Sequence, residues 1–317
     1  MAKKNSLHEI SKISLLLLSL ILLFFFLLPG QNIYQKNENE KIPPLLDFPL
    51  TIPTPAPYPM NLSGVLSPQL SAEAILVIDL PSQIVLLQKN PQMRLAPAST
   101  TKLMTALVAL DQYKLDDVLL VEKVISEGKT MDLAVGDKLT VENLLYGLLV
   151  HSANDAAFVL AQNYPGGEDR FMEKMNQKAR EFSLEDTHFT NPAGFEENAH
   201  YTSARDLARL ATIALNNPTI AKIVGTPAIT VHDVGFTRFY KLENVNALLG
   251  KIPGVLGVKT GWTENAGECL ITALNKNGKK ILIVVLGSQD RFGETNTLIN
   301  WVFGNFTWQI IEPSRKD

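Results

Sequence analysis

Cysteine is almost missing from this 317-residue chain: the single Cys269 excludes an intramolecular disulfide and any cysteine-rich metal cluster. It says little about redox compartment, because exported proteins need not use disulfides. Histidine is scarce too. His8, His151, His188, His200 and His232 form no H-E-x-x-H or comparably close pairing, so a zinc peptidase has no ligand set here, and no metal or other cofactor is expected. Nor is there an excess of positive charge: 29 Lys and Arg stand against 32 Asp and Glu, a net charge of -3, and nucleic acid is not an expected partner. What is present suits a globular core, with 46% hydrophobic and 19% charged residues. One catalytic domain with tail segments accounts for the length.

Residues 13–28 form a nearly unbroken apolar run, preceded by Lys3, Lys4 and Lys12 and ended by Pro29-Gly30. This reads as an export signal, with the lysines in the cytoplasm and the rest of the chain outside. The bulky segment Phe26-Leu27-Leu28 stands where a cleavage site would offer small residues, so residues 1–30 are expected to stay as a signal anchor in the cytoplasmic membrane. The run is short beside the roughly 20 residues of a typical span, which a thin bilayer or snorkelling lysines would accommodate. No cysteine lies nearby for lipid attachment. Residues 31–70 turn polar and then proline-rich, with Pro43, Pro44, Pro49, Pro53, Pro55, Pro57, Pro59 and Pro68. Such a stretch resists helix and sheet and is expected to be an extended spacer. The catalytic domain is then expected over 71–310, with a tail at 311–317.

The folded part opens with two β-rich runs, 74–80 and 84–88, parted by Pro81-Ser82-Gln83 as a hairpin. Helical spacing follows: Leu103, Leu107 and Leu110; then Leu144, Leu145, Leu148 and Leu149; then Leu207, Leu210 and Ile213, with Thr140 and Thr202 as candidate N-caps. Strand patterns return at 255–262, 269–274 and 280–286, the last two joined across Asn277-Gly278, and a helix around 296–303 ends the domain. Strands at both ends with helices between predict an α+β fold, an antiparallel sheet covered by helices, since nothing alternates as βαβ.

Ser99-Thr100-Thr101-Lys102 sets a hydroxyl and an amine three residues apart, on one face of a helix starting after Pro97. A lysine can take the serine proton only if burial or a nearby cation lowers its pKa from about 10 toward neutrality. Ser126-Glu127-Gly128-Lys129 repeats the spacing, but in a charged, glycine-containing stretch that reads as loop, with Ser126 an ordinary surface serine. Two further elements favour Ser99. Ser152-Ala153-Asn154 lies between two helical patterns, where Ser152 would relay a proton and Asn154 would hydrogen-bond a substrate amide. Lys259-Thr260-Gly261, followed by Trp262-Thr263, lies on a predicted strand. There a second cation would help keep Lys102 neutral, Thr260 would bind a carboxylate, and Gly261 would let substrate backbone approach. The backbone N–H groups of Ser99 and Trp262 would form an oxyanion hole.

With these elements in this order, the chain resembles the low-molecular-mass penicillin-binding proteins of the D-alanyl-D-alanine carboxypeptidase type, peptidase family S11. The likeness is carried by residues 95–106, Asn191-Pro192-Ala193-Gly194, residues 200–206 and Gly257-Val258-Lys259-Thr260-Gly261, and covers roughly 71–306. The resemblance implies the β-lactamase/transpeptidase-like fold with a helical subdomain, and peptidoglycan stem peptides ending in D-Ala-D-Ala as substrates. It also implies acylation of Ser99, β-lactam antibiotics as covalent inhibitors, and Arg291 as a ligand of the terminal carboxylate. The substrate-binding set is then Thr260, Gly261, Trp262, Thr263 and Arg291. Two departures stand out: Ala153 where the family often has glycine, with His151 just before it, and no β-rich second domain or C-terminal amphipathic helix before the chain ends, which shifts the expected tether to the N-terminus. No E-x-x-L-N-type loop supports a class A β-lactamase. A DD-endopeptidase or transpeptidase on the same scaffold is the near alternative. A non-catalytic peptidoglycan-binding protein is the remote one, and the intact Ser99, Lys102, Ser152, Asn154 and Lys259 speak against it.

Overall fold

Strands from the two ends of the folded part, 74–89 and 255–288, meet in one antiparallel sheet. The computed structural model describes residues 17–20, 23–24 and 57–310. The strands are β1 (Tyr58–Asn61), β2 (Ala74–Asp79), β3 (Val85–Lys89), β4 (Val118–Leu120), β5 (Lys138–Thr140), β6 (Ala228–His232), β7 (Phe239–Glu243), β8 (Val255–Thr263), β9 (Gly267–Lys276), β10 (Lys279–Ser288) and β11 (Phe306–Gln309). Five of them form the main sheet in the order β3-β2-β10-β9-β8, every pairing antiparallel. Every residue of β2 is buried, because the sheet is covered on both faces. Alternation along a strand sends Ile75 and Val77 to one side and Leu76 and Ile78 to the other, into two separate apolar clusters. The β9–β10 hairpin turns at Asn277 (φ 52°) and Gly278 (φ 76°), the left-handed pair that a tight two-residue turn demands.

The helices are α1 (Lys102–Gln112), α2 (Val141–Tyr146), α3 (Asn154–Gln162), α4 (Gly167–Glu181), α5 (Ala204–Leu215), α6 (Pro218–Val224) and α7 (Arg291–Asn305). A 3-10 turn, Ala98–Thr101, leads into α1, and a single π turn, Gly147–His151, follows α2. The first eight residues of α1 are all buried, so this is a central helix and not an amphipathic surface one. Burying Leu103 completely contributes about 2 kcal/mol. α7 covers the other sheet face with Leu298, Ile299 and Val302.

Thr140 caps α2 as expected, accepting from Asn143 N–H at 3.3 Å. The cap of α5 is one residue later than expected: Ser203 accepts from Asp206 N–H at 3.2 Å, while Thr202 exchanges backbone hydrogen bonds with Leu95. The terminal helix begins at Arg291, since Asp290 caps it through Gly293 N–H at 2.9 Å. Within the expected spacer, Tyr58–Asn61 form β1 and pair with β11, so the folded part begins earlier than residue 71. Pro59 is tolerated because this two-stranded ribbon leaves one edge of β1 unpaired.

Contacts divide the chain into Met1–Pro53 and Thr54–Asp317. In the first unit the described residues 17–20 and 23–24 are helical and exposed. The rest of the anchor expected over 1–30, residues 31–56 and the tail at 311–317 lie outside the described residues. Among the described residues no helix is long and apolar enough to cross a membrane.

Candidate active site

Ser99 sits half-buried in the 3-10 turn, and three neighbours fix that turn. Thr100 donates its hydroxyl to Pro97 O at 2.6 Å, and Thr101 Oγ1 lies 2.8 Å from His200 Nε2. His200 Nδ1 accepts from Thr190 N–H at 3.0 Å, so its proton is on Nε2 and Thr101 accepts it. Burial lowers the His200 pKa to about 4, which keeps the ring neutral in this role. Ala98 itself has φ 47°, an uncommon conformation for a residue with a side chain. Gly194 and Gly261 press on the turn from either side: a methyl group at Gly194 would lie 1.9 Å from Ala98 O, and one at Gly261 3.1 Å from Ser99 N.

Lys102 is completely buried and its Nζ has three partners, Ser99 Oγ, Asn154 Oδ1 and Ala193 O, each at 2.7 Å. Loss of hydration lowers its pKa to about 7, against the pull of the Asp155 carboxylate, which favours the charged form. The partner chemistry then assigns the hydrogens. Asn154 Oδ1 and Ala193 O can only accept, so a neutral amine spends its two hydrogens on them and points its lone pair at the Ser99 hydroxyl. The carbonyl of Ala193 is aimed by an Asx turn, in which Asn191 Oδ1 accepts from Gly194 N–H (2.8 Å) and Phe195 N–H (2.9 Å).

Ser152 closes the π turn in the left-handed conformation, φ 63°, and that geometry turns its hydroxyl to Lys259 Nζ at 2.8 Å. Lys259, on β8, also donates to Thr260 O at 2.9 Å. Its pKa is held far below the usual lysine range, first by burial and then by repulsion from Lys102, Arg291 and Lys129. Ala153 is buried at φ -65°, ψ 123°, ordinary extended backbone, so glycine is not needed there. Arg291 opens α7, donating Nη1–H to Gly261 O at 2.7 Å and its backbone N–H to Glu268 Oε2 at 2.8 Å. β8 is the edge strand of the sheet, and its end carries the exposed Trp262.

Ser99, Ser152, Asn154, Thr260, Gly261, Trp262, Thr263 and Arg291 therefore line one cleft of about 700 Å³, with Lys102 and Lys259 buried beneath it. His151 is not among the lining residues, and Ser126 is exposed in a loop. Sequence reasoning passed over three parts of the site. Asp155 accepts from Met131, Leu133 and Ala156 N–H, tying a loop to the start of α3 beside Lys102. Gly194 packs against the Ala98–Ser99 backbone, a role its sequence motif does not disclose. Glu127 and Lys129 line the cleft, whereas the second S-x-x-K had been set aside as surface loop. Among the described residues there is no group of three or more His, Cys, Asp or Glu suited to a metal.

The model of the peptidase S11 family, described as D-alanyl-D-alanine carboxypeptidase, matches residues 62–290. The D-alanyl-D-alanine carboxypeptidase DacF of Bacillus subtilis is 36% identical over 245 residues, covering 74% of this chain and 63% of its own length. A D-alanyl-D-alanine carboxypeptidase from a Streptomyces species is 33% identical, covering 76% of this chain and 90% of its own. The crystal structure of a Streptomyces DD-transpeptidase superposes with a TM-score of 0.72 at 33% identity, over 76% of this chain and all of that one. The α+β sheet-and-helix architecture is thus that of the penicillin-binding transpeptidases, and the chain belongs to the peptidase S11 family of D-alanyl-D-alanine carboxypeptidases.

Proposed function

We propose that the protein is a serine D-Ala-D-Ala carboxypeptidase that removes the terminal D-Ala from peptidoglycan stem peptides through an acyl-enzyme on Ser99. One observation carries the reading: a fully buried Lys102, with a pKa lowered to about 7, stands 2.7 Å from the Ser99 hydroxyl with its other two partners restricted to accepting. Lys102 takes the hydroxyl proton as Ser99 Oγ attacks the penultimate D-Ala carbonyl. The N–H groups of Ser99 and Trp262 receive the developing oxyanion, an element commonly worth about 3 kcal/mol of barrier. Ser152, hydrogen-bonded to Lys259, relays the proton that Lys102 has taken up to the departing D-Ala amine, so that the C–N bond breaks, Lys102 is neutral again and an ester is left on Ser99. Thr260 and Arg291 hold the terminal carboxylate, with Gly261, Trp262 and Thr263 along the rest of that wall, and Asn154 orients the substrate amide. Water hydrolyses the ester and restores the enzyme.

β-Lactams acylate the same serine and leave slowly. The domain works outside the cytoplasm, tethered to the membrane by residues 1–30 with the proline-rich stretch as spacer. Released D-Ala from diacetyl-Lys-D-Ala-D-Ala, and its loss in Ser99→Ala, test the reading; undiminished release from the variant sinks it. A second reading, transfer of the acyl group to an amine in place of water, uses the same steps and is favoured by the likeness to the Streptomyces DD-transpeptidase. An added amino acceptor that yields a new peptide faster than free acid distinguishes the two.

A further inference from the structure

The cleft contains a cation with no assigned task. Lys129 lines it beside Ser99, Ser152 and Asn154, on the loop that the second S-x-x-K occupies. Asn154 locks this loop in place twice, donating its backbone N–H to Lys129 O at 2.7 Å and its Nδ2–H to Glu127 O at 2.8 Å. Gly128, at φ 69°, permits the close approach, since a methyl group there would lie 2.6 Å from Asn154 Nδ2. Lys102, Lys259 and Arg291 all donate to protein acceptors. Lys129, by contrast, has no ion-pair or hydrogen-bond partner for its amine among the described residues. Partial burial disfavours its charge, and the Glu243 carboxylate favours it. An exposed, unpaired cation lining the cleft invites an anion from outside.

We propose that Lys129 is a specificity residue that selects peptides in which the residue before the two D-alanines carries a side-chain carboxylate. The inference rests on the carboxypeptidase reading for its orientation. With the terminal carboxylate at Thr260 and Arg291 and the substrate amide at Asn154, the preceding residue leaves the cleft past Asn154, over the loop that Asn154 holds. Glu127, Glu196 and Glu264 also line the cleft, so its mouth is not uniformly positive. The attraction is therefore local to Lys129 and falls with ionic strength.

Two acetylated tripeptides, 2-aminopimelyl-D-Ala-D-Ala and its side-chain amide, differ by one charge at equal length. The protein is expected to favour the carboxylate in kcat/KM for D-Ala release by about fivefold at low salt, the size of a well-placed, partly exposed ion pair. Lys129→Met should bring that ratio to one, and Lys129→Glu should invert it. A ratio near one in the unmodified protein, or an unchanged ratio in Lys129→Met, overturns the assignment. Each peptide's ability to slow acylation of Ser99 by fluorescent penicillin gives the same ratio without turnover. If neither peptide releases D-Ala yet the protection ratio depends on Lys129, the carboxypeptidase reading fails and the Lys129 site stands; equal release of D-Ala from both is the reverse.

Discussion

Gly194→Ala tests how the proposed nucleophile is positioned, because the hydrogen bond of residue 194 goes to Asn191 and not to Lys102 or Ser152. At φ 92° an alanine carries a backbone cost of roughly 1–2 kcal/mol. The steric term is larger: the new methyl would lie 1.9 Å from Ala98 O, 2.4 Å from Ala98 C and 3.0 Å from Ser99 N, all backbone atoms that cannot rotate away. Relieving that overlap to ordinary contact means moving the Ala98–Ser99 turn, or the 191–195 loop, by about 1.5 Å. A displacement of roughly 1 Å at a reacting group is enough to cost about a hundredfold in rate. The second-order rate constant for acylation by fluorescent penicillin should therefore fall by about a hundredfold. Gly136→Ala is the matched control, since Gly136 has the same φ of 92° with nothing within 4 Å of an added methyl. It should lose about 1 kcal/mol in urea unfolding and acylate within twofold of the unmodified protein. If Gly194→Ala acylates as fast as Gly136→Ala, the wedge between the 191–195 loop and β8 does not position Ser99.

Acylation of the unmodified protein should rise as pH passes about 7, because Lys102 as the proposed base acts only after losing its proton; a rate flat from pH 5.5 to 8.5 contradicts this. Lys102→Arg keeps the charge but cannot shed a proton, and should lower acylation by about a thousandfold, read by the same assay. Asp155→Asn removes the carboxylate that favours charged Lys102, so the rising limb should move to lower pH. The same change leaves buried N–H groups of Met131, Leu133 and Ala156 short of an acceptor, a loss of about 1–3 kcal/mol in urea unfolding. His200 is neutral in the fold down to about pH 4 but takes up a proton near 6.5 when unfolded, so the unfolded state binds more protons between those values. Stability should fall as pH drops through that window, by up to about 3 kcal/mol from this group, and His200→Gln should show a smaller drop between pH 7 and 4.5.

Local patterns carried most of what the sequence disclosed. The hairpin at Asn277-Gly278, the cap at Thr140 and the strand bearing Lys259 each depend on a few adjacent residues, and each stands where those residues put it. The sheet class followed from strands at both ends of the chain. What stayed hidden depended on partners far along the sequence. β1 was masked by Pro57 and Pro59, and only pairing with β11 makes a strand of it. α4 reads as mostly charged; its buried residues Phe171, Met175, Lys178 and Ala179 make a narrow stripe that is easy to miss. Ser203 outcompeted Thr202 as a cap because Thr202 is taken up by a bridge to Leu95, distant in sequence but adjacent in space. The site divides in the same way. Ser99 and Lys102 were legible once the apolar helix after them and the two later motifs set them apart from Ser126 and Lys129, while Gly194 gains its importance from a backbone nearly a hundred positions away, and Lys129 from hydrogen bonds that only the fold brings to its loop.

The central claim is that Ser99 is the acylated nucleophile. Intact-mass and peptide-mapping spectrometry of the protein after brief exposure to benzylpenicillin tests it most directly. One adduct of the mass of penicillin is predicted, on the peptide containing Ser99 and absent from Ser99→Ala. An adduct on Ser152 or Ser126, or one that persists in Ser99→Ala, would contradict the account.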